Sequence, residues 1–151
     1  MNVVGHQRMV HIRDLIGRPY KVNAKGPEEF DCWSLVQYVR RTVYGDVLPS
    51  FEVPEEPSLL WLAHQFKNSD ERKNWRQVIQ QGIVHKPGPD GSLVLMSRAS
   101  QAVHIGIWLA NEKGILHAVE KDGVVFQDLL TLKASGWGNL RYFERVASTY
   151  T

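Results

Sequence analysis

A strictly alternating segment from Val103 to Leu109 constrains the fold more than any other part of the chain. Its odd-numbered positions are all apolar, and its even-numbered positions are His104, Gly106 and Trp108. Alternation of this kind places the apolar side chains on one face of a β-strand. The short polar segment 111–114 separates this strand from a second apolar run at 115–120, and so short a connection requires antiparallel pairing. The chain is therefore expected to contain a hairpin within an antiparallel sheet.

Helical periodicity precedes this sheet. From Phe30 to Tyr44 apolar residues recur at intervals of three and four, with Asp31 where an N-cap or a first-turn acid belongs and Gly45 just after the end. Other helices are predicted at 12–16 and, singly or as a pair, between residues 57 and 82. Strands are predicted at 92–97, 103–109, 115–120, 124–128 and 141–146. N-terminal helices packed on an antiparallel sheet of about five strands define the α+β class, and residues 1–151 are assigned to a single domain.

The composition excludes several classes of protein. The 18 Lys and Arg against 16 Asp and Glu leave a net charge of +2, too small to indicate nucleic-acid binding. No apolar run approaches the roughly 18 residues of a membrane span, and the first residues hold no apolar block of signal-peptide length. We therefore expect no membrane insertion and a protein that is cytoplasmic when made. A single cysteine excludes an internal disulfide and two-cysteine zinc or redox motifs, and no metal or other cofactor is expected.

The lone cysteine, Cys32, lies in the first turn of the helix predicted from Phe30. A single free cysteine is most often a buried structural residue. Unpaired backbone amides at a helix N-terminus nevertheless stabilise a thiolate, so this position suits a nucleophile whose pKa lies below the free thiol value of about 8.5. Such a nucleophile needs a base, and the base usually needs a residue that orients it.

Two of the six histidines, His104 and His117, lie in the two strands of the predicted hairpin. Either one alone is most simply a half-buried polar residue. Neighbours across a ladder, however, lie within about 5 Å, or about 7–8 Å on a diagonal, and can act as base and orienter. A loop at 111–114 would pair residue 110 with residue 115 and place His104 opposite Lys121. A shorter turn or a bulge would then be needed to bring the two histidines together.

Four segments resemble the NlpC-like family of cell-wall cysteine peptidases, in that family's order. They are Gly17-Arg18-Pro19-Tyr20, Phe30-Asp31-Cys32-Trp33-Ser34-Leu35-Val36, His104-Ile105-Gly106-Ile107-Trp108-Leu109 and Ile115-Leu116-His117-Ala118. The resemblance, over about residues 12 to 130, implies a trimmed papain-like fold. It also implies that Cys32 is the nucleophile, His104 the base and His117 the orienting residue. Tyr20 matches a tyrosine that lines the family's catalytic pocket, and Asp31, Trp33 and Ser34 are assigned to the same substrate pocket.

The resemblance further implies a hydrolase, a thiol protease that cuts peptide bonds in the peptidoglycan stem, commonly between D-glutamate and the diamino acid. Most members have small Ser-Gly after the Asp-Cys pair, whereas this chain has Trp33-Ser34. The Asp31-Cys32-Trp33 form resembles the branch found in phage tail and prophage proteins. Stem peptides and phage tail proteins are therefore the expected partners, and a phage tail or similar particle is the expected carrier to the cell wall.

Three alternatives to this interpretation stay open. The protein could be an amidase that is delivered into rival bacteria, a tail-assembly protein whose site is catalytically silent, or a plain binding domain. Related acyltransferases that act on lipids are disfavoured, because they carry histidine before cysteine, whereas Cys32 precedes His104 here.

Overall fold

The computed structural model describes residues 3–50, 73–78, 87–98 and 101–146. Its helices are α1 (Val3–Leu15), α2 (Cys32–Val39), which continues into a π-helical turn (Arg40–Tyr44), and α3 (Leu129–Ala134). Its strands are β1 (Trp75–Gln77), β2 (Leu93–Arg98), β3 (Gln101–Leu109), β4 (Gly114–Val119), β5 (Gly123–Gln127) and β6 (Trp137–Arg145). The strands form one sheet in the order β1-β6-β2-β3-β4-β5, and each neighbouring pair is antiparallel. The predicted α+β class is confirmed. Within the described ranges, no helix is both long and apolar enough to cross a bilayer.

Helix α2 begins and ends where the sequence pattern predicts. Asp31 is its N-cap: Asp31 Oδ1 accepts the Ser34 N–H at 2.7 Å, and the Asp31 N–H donates to Ser34 Oγ at 3.0 Å. This reciprocal capping box satisfies two backbone donors at the helix start. After the π-helical turn, Gly45 adopts a φ of 79°, a left-handed conformation that favours glycine. The buried side of α2 packs against β3 and β4, which holds the N-terminus of this helix at the sheet.

Two predictions in the N-terminal half and the middle of the chain differ from the structure. Helix α1 is longer than the predicted segment 12–16, and Arg8 in its extra turns forms an ion pair with Asp90 at 2.6 Å. The predicted helical region between residues 57 and 82 lies mostly outside the described residues. Its described part at 75–77 is strand β1 rather than helix, because Trp75 is buried and pairs with Arg145 on β6. This short edge strand makes the sheet six-stranded where five strands were predicted.

Helix α3 has no counterpart among the predicted elements. It contains only six residues, which is too short for a helical period to emerge from the sequence. Its N-cap is Asp128, whose Oδ1 accepts the Thr131 N–H at 2.7 Å. The helix links the end of β5 to the start of β6.

The hairpin of β3 and β4 has a different register from the predicted one. Leu109 pairs with Gly114, so the four-residue loop is 110–113, where Lys113 adopts a left-handed φ of 62°. Moving the loop back by one residue shifts β4 along β3 by two positions. The pairing, continued by one residue, places Gly106 opposite His117 and makes His104 and His117 a diagonal pair. A displaced loop of unchanged length, rather than a shorter turn or a bulge, therefore brings the histidines together.

The centre of the sheet is covered on both faces. Ile105, Ile107 and Leu109 belong to the core that also contains the buried residues of α2, including Cys32. Trp108 belongs to a second buried cluster on the other side of the sheet, together with Trp137. The alternation predicted for this strand is thus confirmed from residue 105 to residue 109.

Candidate active site

The two hairpin histidines are in direct contact. Nε2 of His104 lies 2.9 Å from Nδ1 of His117, and the ring centroids are 5.1 Å apart at an interplanar angle of 70°. The two residues are only 2% and 0% exposed. A buried polar ring needs a hydrogen-bond partner, and here each ring supplies one for the other. The structure therefore brings the predicted base and the predicted orienting residue together.

A glycine makes room for this pair. A Cβ atom built on Gly106 would lie 3.0 Å from His117 Cβ and 2.8 Å from Ile115 Cγ2. Distances that short force neighbouring atoms to move, because non-bonded carbon atoms prefer separations of about 3.5–4.0 Å. The absence of a side chain at residue 106 thus lets the His117 side chain lie across the strand pair toward His104.

Two further residues hold the histidines, and neither was a candidate from the sequence. The Trp137 ring stacks on His104 with centroids 4.6 Å apart at 26°, and meets His117 edge-on at 5.7 Å and 90°. Nε2 of His117 lies 2.8 Å from Oε1 of Gln127. Because His117 pairs directly with Val125, Gln127 occupies the diagonal position, which the register of β4 and β5 could have indicated. Trp137 comes from a strand not adjacent to β3 or β4, and no local sequence signal identifies it.

Cys32 lies at the start of α2 and is completely buried. The backbone amides of Ile105, Trp33 and Cys32 itself act on its sulfur and lower the pKa of the thiol. The amide of Ile105 belongs to the peptide group that follows His104, so the thiol adjoins the strand that carries the predicted base. Among the described residues, no hydrogen bond joins the thiol to either imidazole.

The thiol is protonated in this arrangement. Burial raises the pKa of the Cys32 thiol to about 12, and the neighbouring Asp31 carboxylate acts in the same direction. The three backbone amides lower the pKa but do not offset burial. The expectation that the helix N-terminus holds this pKa below about 8.5 is therefore wrong for the unliganded protein, because desolvation outweighs the amides.

Both imidazoles are neutral near pH 7. Burial lowers the pKa of His104 well below its ordinary value, and the neighbouring His117 and Arg98 act in the same direction. Burial also lowers the pKa of His117 to about 4, although the hydrogen bond to Gln127 opposes the shift. A neutral imidazole has one unprotonated nitrogen, so His104 can accept a proton.

Tyr20, one of the predicted pocket residues, is partly buried and packs against the core cluster that contains Cys32. Burial raises the pKa of its hydroxyl, and the neighbouring Cys32 and Asp31 act in the same direction. The structure therefore places Tyr20 at the edge of the core that holds the candidate nucleophile.

The remaining predicted pocket residues support the start of α2. The Asp31 carboxylate is occupied on both sides, because Oδ1 caps the helix and Oδ2 accepts the Asn23 N–H at 3.2 Å. Trp33 is buried, and its Nε1–H donates to the Pro49 carbonyl at 2.9 Å. Ser34 completes the capping box and also lines a groove beside α2. Contact of these residues with a substrate stays a prediction. No group of three or more His, Cys, Asp or Glu in the described ranges is arranged to hold a metal ion.

The comparisons with known proteins agree with this fold. The model of the NlpC/P60 family matches residues 17–139. No curated protein matches the sequence. Among solved structures, NlpC2 and NlpC1 of Trichomonas vaginalis are similar, with TM-scores of 0.52 and 0.53 at 16% identity. These alignments cover 94% and 96% of this chain but 46% and 45% of those chains.

A third similar structure is the NlpC/p60 domain of the peptidoglycan hydrolase SagA, with a TM-score of 0.51 and 20% identity. That alignment covers 94% of this chain and 98% of the domain. This chain thus spans less than half the length of the Trichomonas proteins and nearly all of the SagA domain. At these identities the likeness shows the fold, and the predicted trimmed papain-like fold is confirmed. The assignment of all 151 residues to one domain stays a prediction.

Proposed function

Because the chain belongs to the NlpC/P60 family, we propose that it is a cysteine peptidase that hydrolyses peptide bonds of peptidoglycan. The observation that carries the proposal is the buried, hydrogen-bonded pair of His104 on β3 and His117 on β4, the two strands against which the helix that begins at Cys32 packs. A cysteine at a helix N-terminus with a base and an orienting group is the arrangement that nucleophilic catalysis requires.

Cys32 is the proposed nucleophile. The capping box occupies the Ser34 amide, and the amides of Cys32 and Trp33 at the same helix start lower the pKa of the thiol. These donors stabilise negative charge on the sulfur as it develops. Since the resting thiol is protonated, the thiolate forms only when the proton moves to a base during the attack.

His104 is the proposed base. Its Nε2 is engaged by His117, so Nδ1 is the nitrogen that takes the proton from Cys32. The sulfur attacks the peptide carbonyl carbon, the C–N bond breaks, and the imidazolium returns the proton to the departing amine. Water, losing a proton to the same nitrogen, then hydrolyses the thioester and releases the free carboxylate and the thiol.

The proposed substrate is the stem peptide of peptidoglycan, and the proposed bond is the one between D-glutamate and the diamino acid. The SagA domain, a similar structure by fold, belongs to a protein described as a peptidoglycan hydrolase, which supports this substrate class. Tyr20, half-buried against the core cluster that contains Cys32, is the proposed wall of the substrate pocket together with the residues around the start of α2.

The proposed setting is a phage tail or prophage particle, assembled in the cytoplasm and carried to the cell wall. Its support is the Asp31-Cys32-Trp33 form, which resembles the tail-associated branch of the family. Tail proteins are then the partners. Mass spectrometry of purified particles from the source strain tests this setting, and absence of the protein from them would refute the setting without affecting the peptidase proposal.

The peptidase proposal is tested by incubating purified stem peptides with the protein and analysing the products by mass spectrometry. We expect one cleaved bond, and its mass identifies which one. Cys32→Ala and His104→Ala should abolish the product. His117→Ala should reduce the rate less, because an orienting residue sets the angle of the base and takes no part in bond breaking. His6→Ala is the matched control, since His6 is an exposed histidine on α1. Equal cleavage by the wild-type protein and Cys32→Ala would contradict the proposal.

A further inference from the structure

A chain of hydrogen bonds leads from the histidine pair to the protein surface. Nε2 of His117 bonds Oε1 of Gln127 at 2.8 Å, and Nε2 of Gln127 donates to Ser135 Oγ at 2.9 Å. Ser135 Oγ in turn donates to the backbone carbonyl of Thr131 at 3.0 Å. The residues come from the end of β5 and from the C-cap of α3, which the short helix brings together.

The hydrogen bond from Ser135 to Thr131, at the outer end of this series, determines which group donates and which accepts in each of the other hydrogen bonds. A backbone carbonyl can only accept, so the single hydroxyl proton of Ser135 is directed to Thr131. Ser135 Oγ must then accept a proton from the Gln127 amide group. The side chain of Gln127 is therefore oriented with its NH₂ toward Ser135 and its oxygen toward His117.

This direction propagates through both imidazoles. Since the amide oxygen of Gln127 accepts, neutral His117 carries its proton on Nε2, and its Nδ1 is an unprotonated acceptor. That acceptor must receive the proton on Nε2 of His104. Neutral His104 protonated on Nε2 has its lone pair on Nδ1, the nitrogen that accepts the proton of Cys32 in the proposed reaction.

Thr131, whose carbonyl ends this series of hydrogen bonds, is itself held in place. Asp128 Oδ1 caps α3 by accepting the Thr131 N–H, so the Thr131 residue is bonded through its N–H and through its carbonyl. Trp137, two residues after Ser135, stacks on the His104 ring and restricts its rotation. The segment from Gln127 to Trp137 therefore contacts the pair at three points.

We propose that Gln127 and Ser135 are positioning residues that act through His117 to hold His104 in the tautomer with an unprotonated Nδ1. The catalytic meaning of that tautomer rests on the proposed function, but the tautomer itself is measurable without any activity. Neither residue touches the thiol or takes part in bond breaking.

The two links differ in strength. Gln127 bonds the buried imidazole directly, whereas the bond between Gln127 and Ser135 is exposed and competes with water. We expect Ser135→Ala to change the ratio of His104 tautomers about fivefold, the effect of one ordinary hydrogen bond, and Gln127→Leu to change it about tenfold or more.

The test is a two-bond ¹H–¹⁵N correlation spectrum of the ¹⁵N-histidine-labelled full chain, which distinguishes protonated from bare ring nitrogens. In the wild-type protein we expect both His104 and His117 to be protonated on Nε2. Ser135→Ala and Gln127→Leu should give mixed tautomers at both rings, whereas Ser135→Thr, which keeps the hydroxyl, should restore the wild-type pattern. Ser92→Ala is the matched control: it removes a serine hydroxyl that also bonds a backbone carbonyl, that of Pro89, at 2.6 Å.

The same variants separate this inference from the proposed function. With stem peptides, Ser135→Ala and Gln127→Leu should lower kcat by about the same factors and leave KM unchanged, since neither residue binds substrate. A wild-type His104 protonated on Nδ1, or an unchanged pattern in both variants, overturns the inference. If the spectra show the expected tautomers but the protein cleaves no stem peptide, only the proposed function is refuted. If Gln127→Leu does not fold, the exposed Ser135→Ala decides alone.

Discussion

The contact between the two histidines depends on the missing side chain at Gly106, and Gly106→Ala should weaken it. The added Cβ would lie 2.8 Å from Ile115 Cγ2, 3.0 Å from His117 Cβ and 3.0 Å from Met96 Cε. The methionine methyl can swing away. The other two atoms cannot, because one belongs to a β-branched side chain and the other is joined to the backbone of β4. The strand or the His117 side chain must therefore move by a few tenths of an ångström.

The size of the effect follows from packing and geometry. Overpacking of a core typically costs about 1–3 kcal/mol, and we expect the free energy of unfolding to fall by that amount. A displacement of about 1 Å can cost about a hundredfold in rate, so a few tenths should lower kcat/KM about tenfold. The backbone of Gly106 is not left-handed, and alanine in a strand interior is otherwise preferred over glycine by about 0.5–1 kcal/mol. Any loss of stability is thus due to the clash.

Gly138→Ala is the matched control for this prediction. Gly138 lies on β6, opposite Ser97 of β2, and a Cβ there would meet no atom within 4 Å. We expect this variant to be as stable as the wild-type protein or slightly more stable, with unchanged kcat/KM. Urea unfolding and cleavage of stem peptides measure both variants. If Gly106→Ala matched Gly138→Ala in stability and activity, the argument that residue 106 must be glycine to position His117 would be wrong.

Two predictions concern pH. Burial raises the pKa of Cys32 to about 12. The rate of alkylation of the unliganded protein by iodoacetamide should therefore keep increasing at pH values well above the free thiol pKa of about 8.5. An inflection at or below that value would show that burial does not determine the pKa of this thiol. The pKa of His117 is about 4 in the folded protein and about 6.5 when unfolded, so the unfolded chain binds a proton first as the pH falls. Stability in urea should therefore decrease between pH 6.5 and pH 4, by on the order of 3 kcal/mol for this residue. His117→Asn should lose this contribution and keep the one from buried His104, whose pKa is also lowered. An equally steep decrease in His117→Asn would assign the effect to other groups.

Local features of the fold could be predicted from the sequence because their causes are local. The N-cap at Asp31, the helix that follows and the glycine that ends it depend on residues within a few positions of one another. The alternation along β3 likewise depends only on the two-residue period of a strand. For the same reason the residue types of the candidate site, Cys32 and the hairpin histidines, could be identified without coordinates.

What the sequence could not determine depends on residues distant along the chain. Strand β1 exists because Trp75–Gln77 pairs with β6, about 70 positions away, whereas its local pattern suggested helix. The register of the hairpin depends on which four residues form the loop; the structure has the loop at 110–113, with Lys113 in a left-handed conformation. A shift of two positions keeps every side chain on its face, so the apolar pattern could not distinguish the two registers.

The electrostatics of the site were decided by tertiary structure alone. From the sequence, the helix N-terminus was expected to lower the pKa of the Cys32 thiol, and the backbone amides do act in that direction. The sheet that covers α2 removes water from the thiol, and desolvation outweighs those amides. Similarly, Gln127 and Trp137 reach the histidines only through the folded sheet. The sequence by itself identified the candidate groups for chemistry, and the tertiary structure decided their protonation states, because solvent exposure is a property of the whole fold.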